Sequence, residues 1–355
     1  MATKTRLKPL GDNGMVSIIV TMIMIIVMTL VVLAMSRNSI TEQRQALDRQ
    51  LSDQAFYNAE SGINDWANYL SRNAGSPNIP NQKSRCDNTE IPTPPSPLPS
   101  QQIGPDATNT YSCILYDKAP DSIIFSNLDP SDGKTMPITP NINLQRLVFS
   151  WTSTNVQTTT TGCNLTSGGL LPTSLPTNCN VGGLKVDLVD QSSLSRTNLT
   201  NNSFISYLLP NFSSTPAPPS TILLSAGRGT ANQGLKGIAR CVNNVGCSIT
   251  VNIGGLPANN TLFLHIKSLY LANNVTITGF RNDGAPVRFL NGQILIDATG
   301  KANDVLRRVQ VRVGAQNQYE PTDFSLRTVD AICKLITVNK DGTPQPTATL
   351  DPRCT

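Results

Sequence analysis

The sequence predicts an α+β protein in which one long N-terminal helix packs on a mainly antiparallel β ectodomain. Three observations support this: an uncharged apolar run over Met15–Met35, a helical apolar period that continues to about Ser71, and short alternating segments in the remaining chain. The 355 residues are 39% hydrophobic and 14% charged, which is apolar enough to fold but poor in charge. With 24 Gly and 25 Pro, the composition is typical of short strands joined by turns.

The apolar run has the length of a membrane span. Met15–Met35 contains 21 uncharged residues, and as a helix it would span roughly 31 Å, close to the hydrocarbon thickness of about 30 Å. A buried core helix would seldom be apolar on every face over this length. Lys4, Arg6 and Lys8 precede the run, so the positive-inside rule places 1–14 in the cytoplasm and the bulk of the chain outside. We expect a single-pass membrane protein that contacts lipid.

The helix is predicted to continue beyond the membrane. No Pro occurs between Met15 and Ser76, and no Gly follows Gly14 until Gly62. Apolar residues recur every four positions, which places them on one helical face: Leu47, Leu51, Ala55, Ala59, Ile63 and Ala67. We therefore predict one helix over 15–72, transmembrane over 15–35 and amphipathic over 36–72, on the order of 85 Å long.

A proline-rich linker over 73–101 is predicted to separate this helix from a β-rich ectodomain over 102–355. Residues 76–101 contain seven prolines, which favour an extended and stiff chain. A second proline-rich stretch near 210–220 leaves two alternatives open, one lobe or two divided at that point.

Short runs rich in Val, Ile, Leu and Thr predict the strands of the ectodomain. In "VLRRVQVRVG" (305–314) the valines alternate with polar residues, which is the period of a strand and not of a helix. We expect the amphipathic half of the helix to cover the apolar face of the sheet. The other runs are "YSCILY" (111–116), "SIIFS" (122–126), "RLVFSW" (146–151), "LKVDLV" (184–189), "FISYLL" (204–209), "TILLS" (221–225), "LFLHIK" (262–267), "LYLANNVTITGF" (269–280), "QILIDAT" (293–299) and "AICKLITV" (331–338).

All eight cysteines follow the apolar run: Cys86, Cys113, Cys163, Cys179, Cys241, Cys247, Cys333 and Cys354. An even number on one side of a membrane segment indicates disulfides in an oxidising compartment. Sequential pairing is our prediction among 105 connectivities. Unpaired core thiols are the alternative, and a zinc site is disfavoured because Cys-x-x-Cys is absent and His265 is the single histidine.

The sequence indicates no enzyme, and we assign no catalytic, cofactor-binding or metal-binding residue. Any nucleophile–base pair with a histidine must use His265, and a lone histidine in a strand is more often packed or at the surface. "SAGRGTANQG" (225–234) matches neither the dinucleotide fingerprint nor the P-loop. The Asp-Gly turns lack the ligand spacing of a calcium loop, although calcium binding is left open. The net charge of +5 is weak for this length, so a nucleic-acid partner is not expected.

The N-terminal part, about 1–72, resembles type IV pilin-like proteins, and PilX-like minor pilins in particular. The basic leader "KTRLKPLGDNG" runs directly into Met15 and the apolar run, and "AFYNAESG" (55–62) is similar to the Ala-Phe-x-Ala-Glu-Ala-Gly stretch of that family. The resemblance implies that a prepilin peptidase cuts the 1–14 leader after Gly14 and that Met15 is then N-methylated.

The resemblance further implies a minor pilin of a type IV pilus or related filament, at the pilus or cell surface, that acts in assembly, initiation or adhesion. A tip pseudopilin of a secretion system is a close variant. The implied partners are other pilins and the inner-membrane assembly platform. The residues of the implied helix assembly face are Ile19, Leu47, Leu51, Ala55, Phe56, Ala59, Glu60, Gly62 and Ile63.

Ile19 is a departure from the pattern of major pilins, which carry Glu as the fifth residue of the mature chain. The resemblance implies that this Glu pairs with the methylated N-terminus of a neighbouring subunit. Ile19 cannot make that pair, which suits a tip or initiator subunit. The alternative hypothesis is an uncleaved, signal-anchored cell-surface binding protein with a β-rich ectodomain.

Overall fold

One long helix forms the N-terminal part of the protein. Helix α1 (Asn13–Arg72) contains 60 residues and is therefore about 90 Å long. Its end is capped by Asn73, whose backbone N and side-chain Nδ2 donate to the Tyr69 carbonyl oxygen at 3.2 and 2.8 Å. The continuous helix is the main expectation of the sequence, and it is confirmed.

The computed structural model describes the chain over 13–73, 76, 78–87, 89–91, 102–103, 108–153, 163, 165, 171, 174–176, 179–190, 203–212, 221–223, 234–242 and 246–315. The strands within these residues are β1 (Gln82–Lys83), β2 (Asn109–Asp117), β3 (Ser122–Leu128), β4 (Lys134–Pro140), β5 (Leu144–Ser153), β6 (Gly183–Asp190), β7 (Ser203–Asn211), β8 (Thr221–Leu223), β9 (Gly234–Val242), β10 (Gly246–Leu256), β11 (Leu262–Leu269), β12 (Asn273–Phe280), β13 (Pro286–Val287), β14 (Phe289–Leu290), β15 (Gln293–Ala302) and β16 (Val305–Gly314).

These strands form two sheets. The smaller sheet has the order β1-β2-β15-β16, and the larger has the order β13-β12-β5-β10-β9-β7-β6-β11-β4-β14, with β3 also paired to β12 and β8 to β10. The described pairings are antiparallel apart from β7 with β9 and β8 with β10. A long helix with a mainly antiparallel β domain confirms the predicted α+β class.

Alternation of side chains along the strands builds the core of the larger sheet. In β5, Leu147, Phe149 and Trp151 are buried, while the residues between them are partly exposed. The Trp151 indole Nε1 donates to the Gly182 carbonyl oxygen at 2.8 Å, so its polar atom is satisfied inside the core.

The strand pattern differs from the sequence prediction in two respects: one predicted run is divided, and six strands (β1, β4, β9, β10, β13 and β14) were not predicted. The run 269–280 is not one strand, because Tyr270 has a φ of 69° and turns the chain between β11 and β12. Strand β4 is one of these six, and it contains two prolines. Pro137 lies opposite Phe263, and Pro140 ends the strand, where a missing N–H costs little.

The chain divides into two units. One comprises Met1–Gly62, Ser100–Ser112 and Thr299–Val309, and the other Ile63–Pro99, Cys113–Ala298 and Gln310–Thr355. The proline-rich stretch near 210–220 lies between β7 and β8, and both strands belong to the larger sheet.

In the first unit, α1 lies directly against β15. A Cβ added to Gly300 would lie 2.0 Å from the Ala55 carbonyl oxygen and 2.4 Å from the Ala59 backbone nitrogen, so only glycine fits there. Asn58 adds a polar contact, since its Nδ2 donates to the Lys301 carbonyl oxygen at 2.7 Å. Small residues on both elements therefore set the distance between helix and sheet.

In the second unit, the end of α1 contributes Trp66 to a buried cluster. The Lys83 side chain, 1% exposed, donates from Nζ to the carbonyl oxygens of Arg85 (2.5 Å) and Ile114 (2.6 Å) and lies 5.9 Å from the Trp66 ring centroid. Desolvation lowers the pKa of Lys83, an effect that the nearby carboxylates of Glu90 and Asp87 partly oppose.

Three disulfides are present among the described residues of the second unit, and they link neighbouring cysteines along the chain. The pairs are Cys86–Cys113, Cys163–Cys179 and Cys241–Cys247. Cys241 and Cys247 lie directly opposite each other on β9 and β10. The expected pair Cys333–Cys354 lies outside the described residues.

Replacing Gly300 should loosen the helix from the sheet. We expect Gly300→Ala to destabilise the first unit by about 1–3 kcal/mol, because the added methyl group meets helix backbone that cannot move aside freely. Hydrogen exchange over 52–62 should accelerate in this variant. The matched control is Gly314→Ala at an exposed strand end, which should leave exchange unchanged. Equal exchange in the two variants would contradict the close approach.

We expect Lys83 to change how the free energy of unfolding depends on pH. Between its lowered pKa and the usual value of 10.5, the folded state binds fewer protons than the unfolded chain, so the free energy of unfolding should rise with pH. Lys83→Met should remove that rise. Chemical denaturation at several pH values between 8 and 10.5 measures it, with the exposed Lys301→Met as control. Parallel pH profiles of Lys83→Met and the unmodified protein would refute the assignment.

Candidate functional site: the exposed N-terminal helix

The first part of α1, up to Met35, is apolar and exposed. Large apolar side chains over Ile18–Met35 are 48–69% exposed, and Ile19 is 53% exposed. Gly14 and Met15 lie in the first turn of α1, and their side chains are outside the described set. Among the described residues, this is the one helix long and apolar enough to cross a membrane.

The polar side chains of this segment are satisfied within the helix itself. Thr21 donates from its hydroxyl to the Ile18 carbonyl oxygen at 2.9 Å, and Thr29 donates to the Ile25 carbonyl oxygen at 2.9 Å. No residue between Met15 and Met35 is ionisable. Over Ile18–Met35, the segment can therefore enter lipid without burying an unpaired polar side chain.

The next part of α1 is charged and exposed. Arg37, Glu42, Arg44, Asp48 and Arg49 point away from the remainder of the described chain, and none forms an ion pair with another described residue. Mixed charge of this kind is available to pair with the charges of a neighbouring molecule.

The structure divides the nine residues of the expected assembly face into two groups. One is buried within the chain, and it consists of Ala55, Ala59, Gly62 and Ile63. The other is exposed or partly exposed, and it consists of Ile19, Leu47, Leu51, Phe56 and Glu60. The "AFYNAESG" stretch therefore places its small residues on the chain's own strands and leaves Phe56 and Glu60 outside.

Exposed aromatic rings mark the outer side of this stretch. Phe56 is 46% exposed and Tyr57 is 66% exposed, and their rings meet edge to face with centroids 5.8 Å apart. The four-residue period did not single out Tyr57, because it lies off the apolar stripe. Its position directly after Phe56 is the signal that could have identified it.

The single histidine lies in a structural setting. His265 Nδ1 is 2.8 Å from the Thr135 hydroxyl across two neighbouring strands, and Gly133 lies directly over the ring. Within the described part of the chain, no group of three or more His, Cys, Asp or Glu residues could hold a metal ion. The glycine-spaced segment 225–234 lies mostly outside the described residues.

Comparison with known proteins gives one match. Residues 13–64 match the family model described as PilX N-terminal. No curated protein and no solved structure matches the chain.

The matched range contains both the exposed apolar segment and the "AFYNAESG" stretch from which the sequence indicated this family. With an apolar helix of membrane-spanning length, the match indicates a membrane-anchored protein that is related to type IV pili and interacts with other pilins. The resemblance expected from the sequence is confirmed: the N-terminal region of this chain is that of a PilX-like type IV pilin.

Proposed function

We propose that this protein is a minor pilin that helps to initiate assembly of a type IV pilus or related filament. The observation that carries the proposal is the PilX N-terminal match over 13–64, combined with Ile19 at the place of the carboxylate of major pilins. The protein acts by assembly and surface contact, and it has no catalytic role.

The position of Ile19 supports a place at the start of the filament. A carboxylate inside a bilayer costs several kcal/mol unless it finds a partner, so it favours docking of a subunit onto a neighbouring amine. Ile19 is uncharged and therefore needs no charged partner on a preceding subunit. A subunit of this kind can therefore be placed first, and later subunits can dock onto its N-terminal amine.

Processing after Gly14 supplies that amine. The basic leader ends where the apolar segment begins, and the cut would make Met15 the first residue of the mature chain. Removal of Lys4, Arg6 and Lys8 also removes the charges that hold the N-terminus in the cytoplasm. The mature helix can then leave lipid for a bundle of pilin helices.

The charged part of α1 supports contacts with neighbouring subunits. Its exposed arginines and carboxylates alternate along the helix, and partner helices with complementary charge would fix the register of docking. The prepilin peptidase and the inner-membrane assembly platform are the further partners of this proposal.

Intact-mass measurement of membrane-extracted protein tests the processing step. We expect a chain that begins at N-methylated Met15 and lacks the first 14 residues. Gly14→Leu should block the cut because a side chain replaces the glycine next to the scissile bond, whereas Gly11→Ala in the same leader should be cut normally. A mature chain that retains 1–14 would reject the proposal in favour of an uncleaved surface protein.

Filament counts in a deletion strain test initiation. We expect the number of filaments to fall far more than the abundance of this protein among the pilins would explain. Restoring the protein with Ile19→Leu should recover the filaments, while Ile19→Glu should recover few, because the carboxylate lacks a partner at the tip. Unchanged filaments in the deletion strain, or full recovery with Ile19→Glu, would contradict initiation.

A further inference from the structure

One outward face of the larger sheet is built from hydroxyl and amide side chains. It is formed by the adjacent strands β12, β5 and β10, whose alternate residues, such as Phe149, point into the core. The residues between them point outward and are exposed or partly exposed. Apart from Val148, the outward side chains over 148–152, 248–250 and 274–278 all belong to Ser, Thr or Asn. We call these residues the hydroxyl face: Ser150, Thr152, Ser248, Thr250, Asn274, Thr276 and Thr278.

The register of the strands places these side chains in rows across the sheet. Thr276 lies opposite Ser150, and Ser150 lies opposite Ser248 on its other side. The Oγ atoms of Ser150 and Ser248 are 3.3 Å apart. Neighbouring strands are about 4.8 Å apart and alternate residues of a strand about 6.7 Å apart, so the face measures about 10 Å by 13 Å. It therefore presents polar groups at regular spacing in two directions.

The threonine hydroxyls of this face are available to a ligand. Thr152, Thr250, Thr276 and Thr278 form no side-chain hydrogen bond within the described part of the chain. Each hydroxyl can donate one hydrogen bond and accept two. A ligand that covers the face must replace the bonds to water, because a buried hydroxyl without a partner costs free energy. This requirement excludes an apolar occupant.

The hydroxyl face also differs in charge from another outward surface of the same sheet. None of its residues is ionisable, and the nearest charges, Arg146 and Arg240, lie at its margins. The paired strands β6 and β11 instead carry ionisable side chains at their outward positions: Lys185, Asp187, His265 and Lys267. A charged ligand would find no opposite charge within the hydroxyl face. Charge complementarity therefore favours a neutral polar ligand.

We propose that the hydroxyl face binds a neutral polysaccharide whose β-linked chain is extended. A sugar hydroxyl donates one hydrogen bond and accepts two, so it can replace the water at each threonine. An extended chain also repeats its hydroxyls along a line, as the rows of the face do. The proposal gives the ectodomain a ligand of its own, and it goes beyond the role in filament initiation and does not rest on it.

Binding of defined oligosaccharides to the full chain tests the site. The neutral probes are cellohexaose and chitohexaose, and the acidic comparison is hexagalacturonic acid. The protein is kept in micelles of a detergent whose headgroup contains no sugar, so that the detergent does not compete. Titration calorimetry measures the affinity. We expect saturable binding of at least one neutral hexamer at millimolar concentration or below, and weaker binding of the acidic hexamer.

Variants of the face separate hydroxyl recognition from general stickiness. Thr250→Val/Thr276→Val removes two hydroxyls but keeps β-branched side chains, so the sheet should remain folded. We expect it to weaken the binding of the neutral hexamer about tenfold. Ser150→Lys should abolish binding, because a neutral ligand would cover an ammonium group at the centre of the face. Thr299→Val is the matched control: Thr299 is partly exposed on β15, outside the face, and its replacement should leave the affinity unchanged.

Any of three results would overturn the proposal. The first is the absence of saturable binding of either neutral hexamer at millimolar concentration. The second is tighter binding of the acidic hexamer than of both neutral ones. The third is an equal affinity of Thr250→Val/Thr276→Val and Thr299→Val, with circular dichroism showing that both variants are folded.

Discussion

The close approach of α1 to β15 is the constraint on which the arrangement of the first unit depends. Two elements can come into backbone contact only where neither carries a bulky side chain, and here Gly300 meets Ala55 and Ala59. The same constraint explains why the "AFYNAESG" stretch combines small residues with large ones. Its small residues are used inside the chain, so its partner-facing chemistry must come from Phe56, Tyr57 and Glu60, which the strands leave uncovered.

The first part of α1 is apolar and exposed, whereas its last part packs against strands of the same chain. The sequence shows this change as a change from an unbroken apolar run to a four-residue apolar period. The apolar run and the four-residue period were enough to predict α1, because the first has the length of a membrane span and the second is a periodic signal that the helical backbone imposes. The predicted strands within the described residues were also recovered where residues alternate, while the predicted strand over 331–338 lies outside those residues. Strand β4 was missed because Pro137 hides the alternation, and the turn at Tyr270 was missed because a left-handed tyrosine has no marker in the sequence.

The site itself could be predicted only in part. Composition and the leader pointed to the N-terminal helix, but periodicity could not say which side of it faces the chain's own sheet. The side of the helix that faces the sheet is fixed by the close approach of Gly300 and by the contact of Asn58 with Lys301. Gly300 and Lys301 lie far along the chain from the helix. The side-chain hydrogen bonds to the edge of β3 were also beyond sequence reasoning, because Gln293 and Arg312 reach Ile124 and Ser122 from strands that lie far along the chain.

The Asn58 contact has a consequence for biogenesis. Asn58 and Lys301 are 243 residues apart, so the helix is synthesised long before its partner strand exists. Contacts of such high sequence separation form slowly. The small-residue face of the helix therefore stays uncovered until most of the chain has been synthesised. The nascent protein is thus in most need of a chaperone, or of another helix that covers this face, during that interval.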